Sequence, residues 1–211
     1  SNAGVASKWT ITAVSEDGTS AKAAENVAKA VDQVREKFPG MKMDMIRDII
    51  LSTATDIGAA GVDDVFGYGL LDATTALNGP KRLDYGTSKF YVPNTKTWVF
   101  KNNIYGSYTD LEKSGKGTLV LEGKNSFYKI KVDGGTLILK GYNTSRYETI
   151  IKNGTLDVKR KFTPRNIEIE TDGTLITNPN TVIGEITKDY YTNEITVNVA
   201  VNIVNKGTLK N

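Results

Sequence analysis

The tripeptide Gly-Thr-Leu occurs five times in the 211-residue chain, beginning at Gly117, Gly135, Gly154, Gly173 and Gly207. Successive steps are 18, 19, 19 and 34 residues, the last close to two periods. A unit of this size cannot bury an apolar face alone, so its copies must stack on one another. Thr118-Leu-Val-Leu, Thr136-Leu-Ile-Leu and Thr155-Leu-Asp-Val each place Leu and its i+2 neighbour on one side of a pleated strand. The expected inward residues are Leu119 and Leu121, Leu137 and Leu139, Leu156 and Val158, with Leu175 equivalent to Leu119. The glycine before each strand marks a corner, and Asn153-Gly154 and Asp172-Gly173 are turn dipeptides. The expected fold is a mostly β solenoid.

The motif Leu111-x-Lys113-x-Gly115-x-Gly117-Thr-Leu-x-Leu121-x-Gly123, followed by Gly134-Gly-Thr-Leu137, resembles the passenger-associated transport repeat of autotransporters. Gram-negative bacteria export such proteins through an outer-membrane barrel. The resemblance implies a right-handed β-helix at the cell surface or secreted, with its own or a downstream outer-membrane β-barrel as partner.

Upstream, Lys89-Phe-Tyr-Val92, Thr97-Trp-Val-Phe100 and Asn103-Ile-Tyr-Gly106 read as the first solenoid strands. Downstream, Arg165 to Glu170, Thr181 to Thr187 and Glu194 to Val204 continue the alternation, with Val197, Val199, Val201 and Ile203 expected on one side. Pro164 and Pro179 fall between strands, where a missing amide donor is harmless.

The first eighty residues follow a different period. After a strand-like Trp9-Thr-Ile-Thr-Ala-Val14, the residues Ala23, Val27, Ala30, Val31, Val34 and Phe38 recur at steps of three and four. This predicts an amphipathic helix from Ser20, stopped by Pro39-Gly40. A second helix, starting near Met43 or Asp44, carries Met45, Ile46, Ile49 and Ile50, and a short third one is expected over about Leu70 to Leu77.

These residues also resemble a known family. Gly18-Thr19-Ser20, Ala23-Ala24-x-Asn26-Val27-Ala28, Phe38-Pro39, Ile46-Arg47-x-Ile49-Ile50-Leu51, Thr53-Ala54-Thr55-Asp56 and Phe66-Gly67-Tyr68-Gly69-Leu70-Leu71 are similar to the C-terminal end of a subtilisin-like serine peptidase. The departures are specific. Alignment on Ala23-Ala24 and Pro39 puts Ala21, not Ser20, where the family has its nucleophile; Glu25 replaces the family's proline and Lys29 its helix glycine. In an intact peptidase this helix runs through the domain centre, where Glu25 and Lys29 would be costly buried charges. Together with Lys22, Asp32 and Glu36 they instead define a polar face, so the segment reads as a remnant readapted to solvent.

Composition narrows the chemistry. Histidine and cysteine are both absent, which removes every Ser-His-Asp, Cys-His and His-zinc mechanism carried by this chain alone. Ser20 has no base to activate it, and the cap of the following helix is the favoured reading of its side chain. Asp63-Asp64 lacks the spacing of a calcium loop and reads as a solvated pair. Asn143-Thr-Ser and Asn153-Gly-Thr match a glycosylation sequon but read as turns. The tyrosines, among them Tyr105, Tyr108, Tyr128, Tyr142, Tyr147 and Tyr190-Tyr191, read as packing in strands unless they cluster on one face, in which case a host glycan or surface protein becomes a candidate partner. A formal charge of +3, with the basic residues dispersed, gives no reason to invoke nucleic acid.

The expected layout is Ser1-Asn2-Ala3 as the scar of a cleaved tag, a helical subtilase remnant over 4–80, a transition with the first solenoid turns over 81–110, and the β-helix over 111–211, cut inside a repeat at Lys206-Gly-Thr-Leu. Three functions remain in play. The first is a structural passenger stalk without self-contained catalysis, the second the C-terminal fragment of an active secreted serine endopeptidase, the third an adhesin. No catalytic, cofactor-binding or metal residue is assigned.

Overall fold

A computed structural model describes residues 2–84, 86–188, 195–198, 202–205 and 207–210. The chain forms two compact units, residues 1–83 and 84–211.

The N-terminal unit is helical. A 3-10 helix, Gly4–Trp9, leads to α1 (Ser20–Lys37), α2 (Met43–Thr53) and the single turn α3 (Ala73–Ala76). The expected stripes supply its core in part: Ala30, Val34 and Phe38 from α1 and its cap, with Met45, Ile46, Ile49 and Ile50 from α2, are buried, whereas Ala23, Val27 and Val31 are half-buried. Gly40, at φ +82°, turns the chain after α1 as Pro39-Gly40 predicts. Two expectations need correction. Trp9 ends the 3-10 helix and only Thr12 of the presumed strand makes a bridge, parallel to Leu70. Leu70 in turn bridges Thr55, so its backbone is committed to that pairing and α3 cannot start before Ala73.

The second unit is the expected β-solenoid. Turn one is β1 (Thr87–Tyr91), β2 (Thr97–Phe100) and β3 (Ile104–Gly106). Next come β4 (Asp110–Ser114), β5 (Thr118–Leu121), and two long strands that bend through corners, β6 (Asn125–Leu139) and β7 (Tyr142–Val158). The later turns use β8 (Lys161–Pro164), β9 (Asn166–Ile176), β10 (Val182–Ile183), β13 (Asn202–Asn205) and β14 (Thr208–Lys210).

All rungs pair in parallel and sort into three faces. Face A aligns Ser88, Leu111, Ile130, Thr149, Ile167 and Ile203. Face B aligns Trp98, Leu119, Leu137, Leu156, Leu175 and Leu209. Face C aligns Ile104, Asn125, Asn143, Phe162 and Ile183. Leu119, Leu121, Leu137, Leu139, Leu156, Val158 and Leu175 have no exposed surface, so the inward assignment holds at every expected position. Each such leucine contributes about 1.5–3 kcal/mol by leaving water.

The corner glycines are required by proximity. A β-carbon at Gly135, whose φ is +61°, would collide with the Gly117 carbonyl one turn away.

The last repeat step is not two turns. Leu209 pairs directly with Leu175, one rung along. The additional chain includes a separate antiparallel hairpin, β11 (Glu185–Lys188) with β12 (Ile195–Asn198). Those segments alternate as the solenoid does, but they pair with each other and leave the coil. The expectations for Val199, Val201 and Tyr190-Tyr191 lie outside the described residues.

Candidate functional site

Two places hold the residues singled out for chemistry. In the N-terminal unit the loop before α1 is organised by Asp17. Its carboxylate accepts from the Thr19 hydroxyl at 2.7 Å, the Thr19 amide at 2.9 Å and the Ser15 hydroxyl at 2.9 Å. Bonding by Thr19 holds the Asp17 carboxyl below its ordinary range. Thr19 then accepts from the Lys22 amide at 3.2 Å, which makes Thr19 the cap of α1. Ser20 is therefore the first helical residue and not the cap, a shift of one position from the sequence reading.

Ser20 and Ala21 are both exposed. A cleft of about 90 Å³ in this unit is lined by residues such as Leu51, Asp56, Tyr68 and Arg82, and Ser20 is not among its walls. Farther along α1, Lys29 lies 2.6 Å and Lys22 3.1 Å from the Glu25 carboxylate on the solvent side. Hydrogen bonding from Lys29 lowers the Glu25 carboxyl. The two charges that would be buried in an intact peptidase are thus 49% and 60% exposed and paired in water.

Asp63 does more than sit in solvent. Its Oδ1 accepts from the amides of Val65 at 2.7 Å and Phe66 at 2.8 Å, closing a turn of the kind Asp favours, while its Oδ2 is buried without a hydrogen-bond partner. Asp64 is exposed, so the pair is split between two environments.

The solenoid holds polar residues where the repeat pattern calls for apolar ones. Lys113 aligns with Phe90 and Val132 in an inward column of face A and is fully buried. Its ammonium donates to the carbonyls of Ser114, Gly115 and Gly134, each at 2.9 Å. Burial lowers its pKa to about 8. On face C, Asn125 donates to Asn143 Oδ1 at 2.8 Å and to the Gly123 carbonyl at 2.9 Å, and accepts from the Ile104 amide at 3.0 Å. Asn143 is thus an inward strand residue and not the turn that its sequon suggested. Sequence reasoning missed both devices, although Leu111-x-Lys113 already placed the lysine on the inward parity.

Comparison with known proteins now bears on these geometries. Residues 7–69 match the model of the Subtilase family. The N-terminal unit carries a subtilase-family segment. Within it, α1 shows a charged outer face. The chain is 42% identical over 127 residues to the Neisserial autotransporter lipoprotein NalP of Neisseria meningitidis serogroup B, a match covering 56% of this chain. It is 33% identical over 184 residues to an extracellular serine protease of Serratia marcescens, covering 75% of this chain. It is also 32% identical over 143 residues to serotype-specific antigen 1 of Mannheimia haemolytica, covering 68%. The chain spans 12%, 16% and 15% of those relatives. No helix among the described residues is long and apolar enough to cross a membrane.

Proposed function

We propose that this chain is a passenger segment of a Gram-negative autotransporter: a β-solenoid stalk exposed at the cell surface or secreted, carrying a subtilase-family segment without self-contained catalysis. Export would use its own or a downstream outer-membrane β-barrel. The carrying observation is the parallel stacking of the Gly-Thr-Leu rungs, Leu119 on Leu137 on Leu156, C-terminal to a subtilase segment in a chain similar to an autotransporter lipoprotein. The absence of histidine and the solvent-facing Ser20 support a non-catalytic role.

The test of that role is a serine-directed fluorophosphonate probe on the full chain. Labelling at Ser20 no higher than at other surface serines is expected; stoichiometric labelling of Ser20 would contradict it.

A second reading has its own support, since the match to the Serratia extracellular serine protease extends over most of this chain. In that reading the chain is the C-terminal part of an active secreted subtilisin-like endopeptidase, and the gene upstream of Gly4 encodes the Asp and His motifs. Sequencing that region separates the two.

A further inference from the structure

The charges of the solenoid are unevenly shared among its three faces. Among the described residues, four carboxylates outside the face C stretches pair with neighbouring lysines: Lys129–Glu148, Lys131–Asp133, Lys140–Glu122 and Lys159–Asp157. Face C is built from residues 103–107, 124–128, 142–146, 160–165 and 182–183. Those stretches contain five cations, Lys124, Arg146, Arg160, Lys161 and Arg165, and no Asp or Glu.

The cations are held in order. Lys161 pairs in register with Tyr142, and Lys124 lies one rung on the other side, because its neighbour Asn125 pairs with Asn143. The Tyr142 ring has Arg160 at 4.7 Å and Lys124 at 5.8 Å from its centroid, so the aromatic ring spaces the positive charges. With rungs roughly 4.8 Å apart, Lys124 and Lys161 stand about 10 Å from each other along the coil. Between the edges of the face runs a row of hydroxyl-bearing side chains in register, Tyr105, Ser126, Thr144 and Thr163. Tyr105 is 66% exposed. At the far corner Tyr128 and Tyr147 stack on adjacent turns, with centroids 5.3 Å apart and planes at 12°.

We propose that face C is a binding surface for an acidic polysaccharide. Uronate or sulfate groups spaced by a disaccharide repeat would meet Lys124 and Lys161 in turn, as charge-assisted hydrogen bonds require. Sugar hydroxyls would bond to Ser126 and Thr144, and the C–H side of a pyranose would lie on Tyr105. Among the described residues no ion pair involves Lys124 or Lys161, and a neutral glycan would give these cations no partner. The inference is independent of whether the subtilase segment belongs to a working peptidase.

The test is affinity electrophoresis of the full chain through gels containing polygalacturonate, heparin or neutral dextran, with a single-stranded oligothymidylate as competitor. Both acidic polysaccharides should retard the protein and dextran should not. The double variant Lys124→Glu/Lys161→Glu should bind at least tenfold more weakly, and Tyr105→Ala about threefold. Lys89→Glu/Lys116→Glu, which makes the same change of charge away from face C, should bind within threefold of the parent. Lys161 is half-buried and the other substituted positions are exposed, so circular dichroism of each variant checks that the fold is intact. Equal losses in the two double variants would reduce the binding to bulk charge and overturn the proposal. Displacement by oligothymidylate at lower concentration than by polygalacturonate would overturn it in favour of a nucleic acid.

Discussion

The ammonium of Lys113 reaches across one turn of the coil to the carbonyl of Gly134 at 2.9 Å. With its bonds to Ser114 and Gly115, it ties two successive A–B corners together from inside the core. A buried charge without a carboxylate partner is costly, and here the three carbonyls offset part of that cost.

This arrangement makes stability depend on pH in a defined direction. Lys113 has a folded-state pKa of about 8 against an ordinary 10.5. Between those values the unfolded chain holds the proton and the folded chain does not, so unfolding free energy rises with pH across that window. Below pH 8 both states are charged and the penalty is fully present. Urea unfolding at pH 7.5 and 10 should show this rise in the parent relative to Lys113→Met. Lys113→Met removes the buried charge together with its donor, so its unfolding free energy should carry none of this pH dependence.

Leu137 occupies the middle of the face B column, between Leu119 and Leu156. Leu137→Ala should cost about 2–5 kcal/mol in denaturant unfolding. A loss below about 1 kcal/mol would mean that the inward side has been misassigned.

The two asparagines of face C should differ. Asn125 makes three hydrogen bonds, whereas the Nδ2 of Asn143 is buried without a partner. Asn125→Ala should therefore cost about 2–3 kcal/mol and Asn143→Ala about 1 kcal/mol less, as thermal unfolding would measure.

Thr95 has φ +62°, the one positive value outside glycine among the described residues. A β-branched side chain is strained there, so Thr95→Gly should raise stability by about 0.5–1 kcal/mol. No change in melting temperature would show that the strain is taken up by the turn.

What could be read from the sequence follows from which interactions are periodic. The leucine columns were legible because Gly-Thr-Leu repeats at the length of one turn and strand parity then fixes which residues face inward. Lys113 shares that parity with Leu111, yet nothing in the chain before Gly134 is folded reveals the carbonyls that accept its charge. Asn143 was read as a turn because Asn-Thr-Ser is also turn chemistry, and only its alignment with Asn125 in the neighbouring rung gives it an inward role. The hairpin of β11 and β12 was hidden for a related reason, since its alternation is that of any strand and its partner is chosen by tertiary pairing. In the helical unit, Thr19 and Ser20 are both good caps, and the difference lies in a backbone turn set by Asp17.

Export is the most direct measurement of the central claim. The full chain should be joined ahead of an autotransporter β-barrel and expressed in a Gram-negative host, then scored by protease accessibility on intact cells. The account predicts that the solenoid reaches the surface, becoming accessible to externally added protease while a periplasmic marker stays protected. A chain that folds normally but remains protected in intact cells would contradict it.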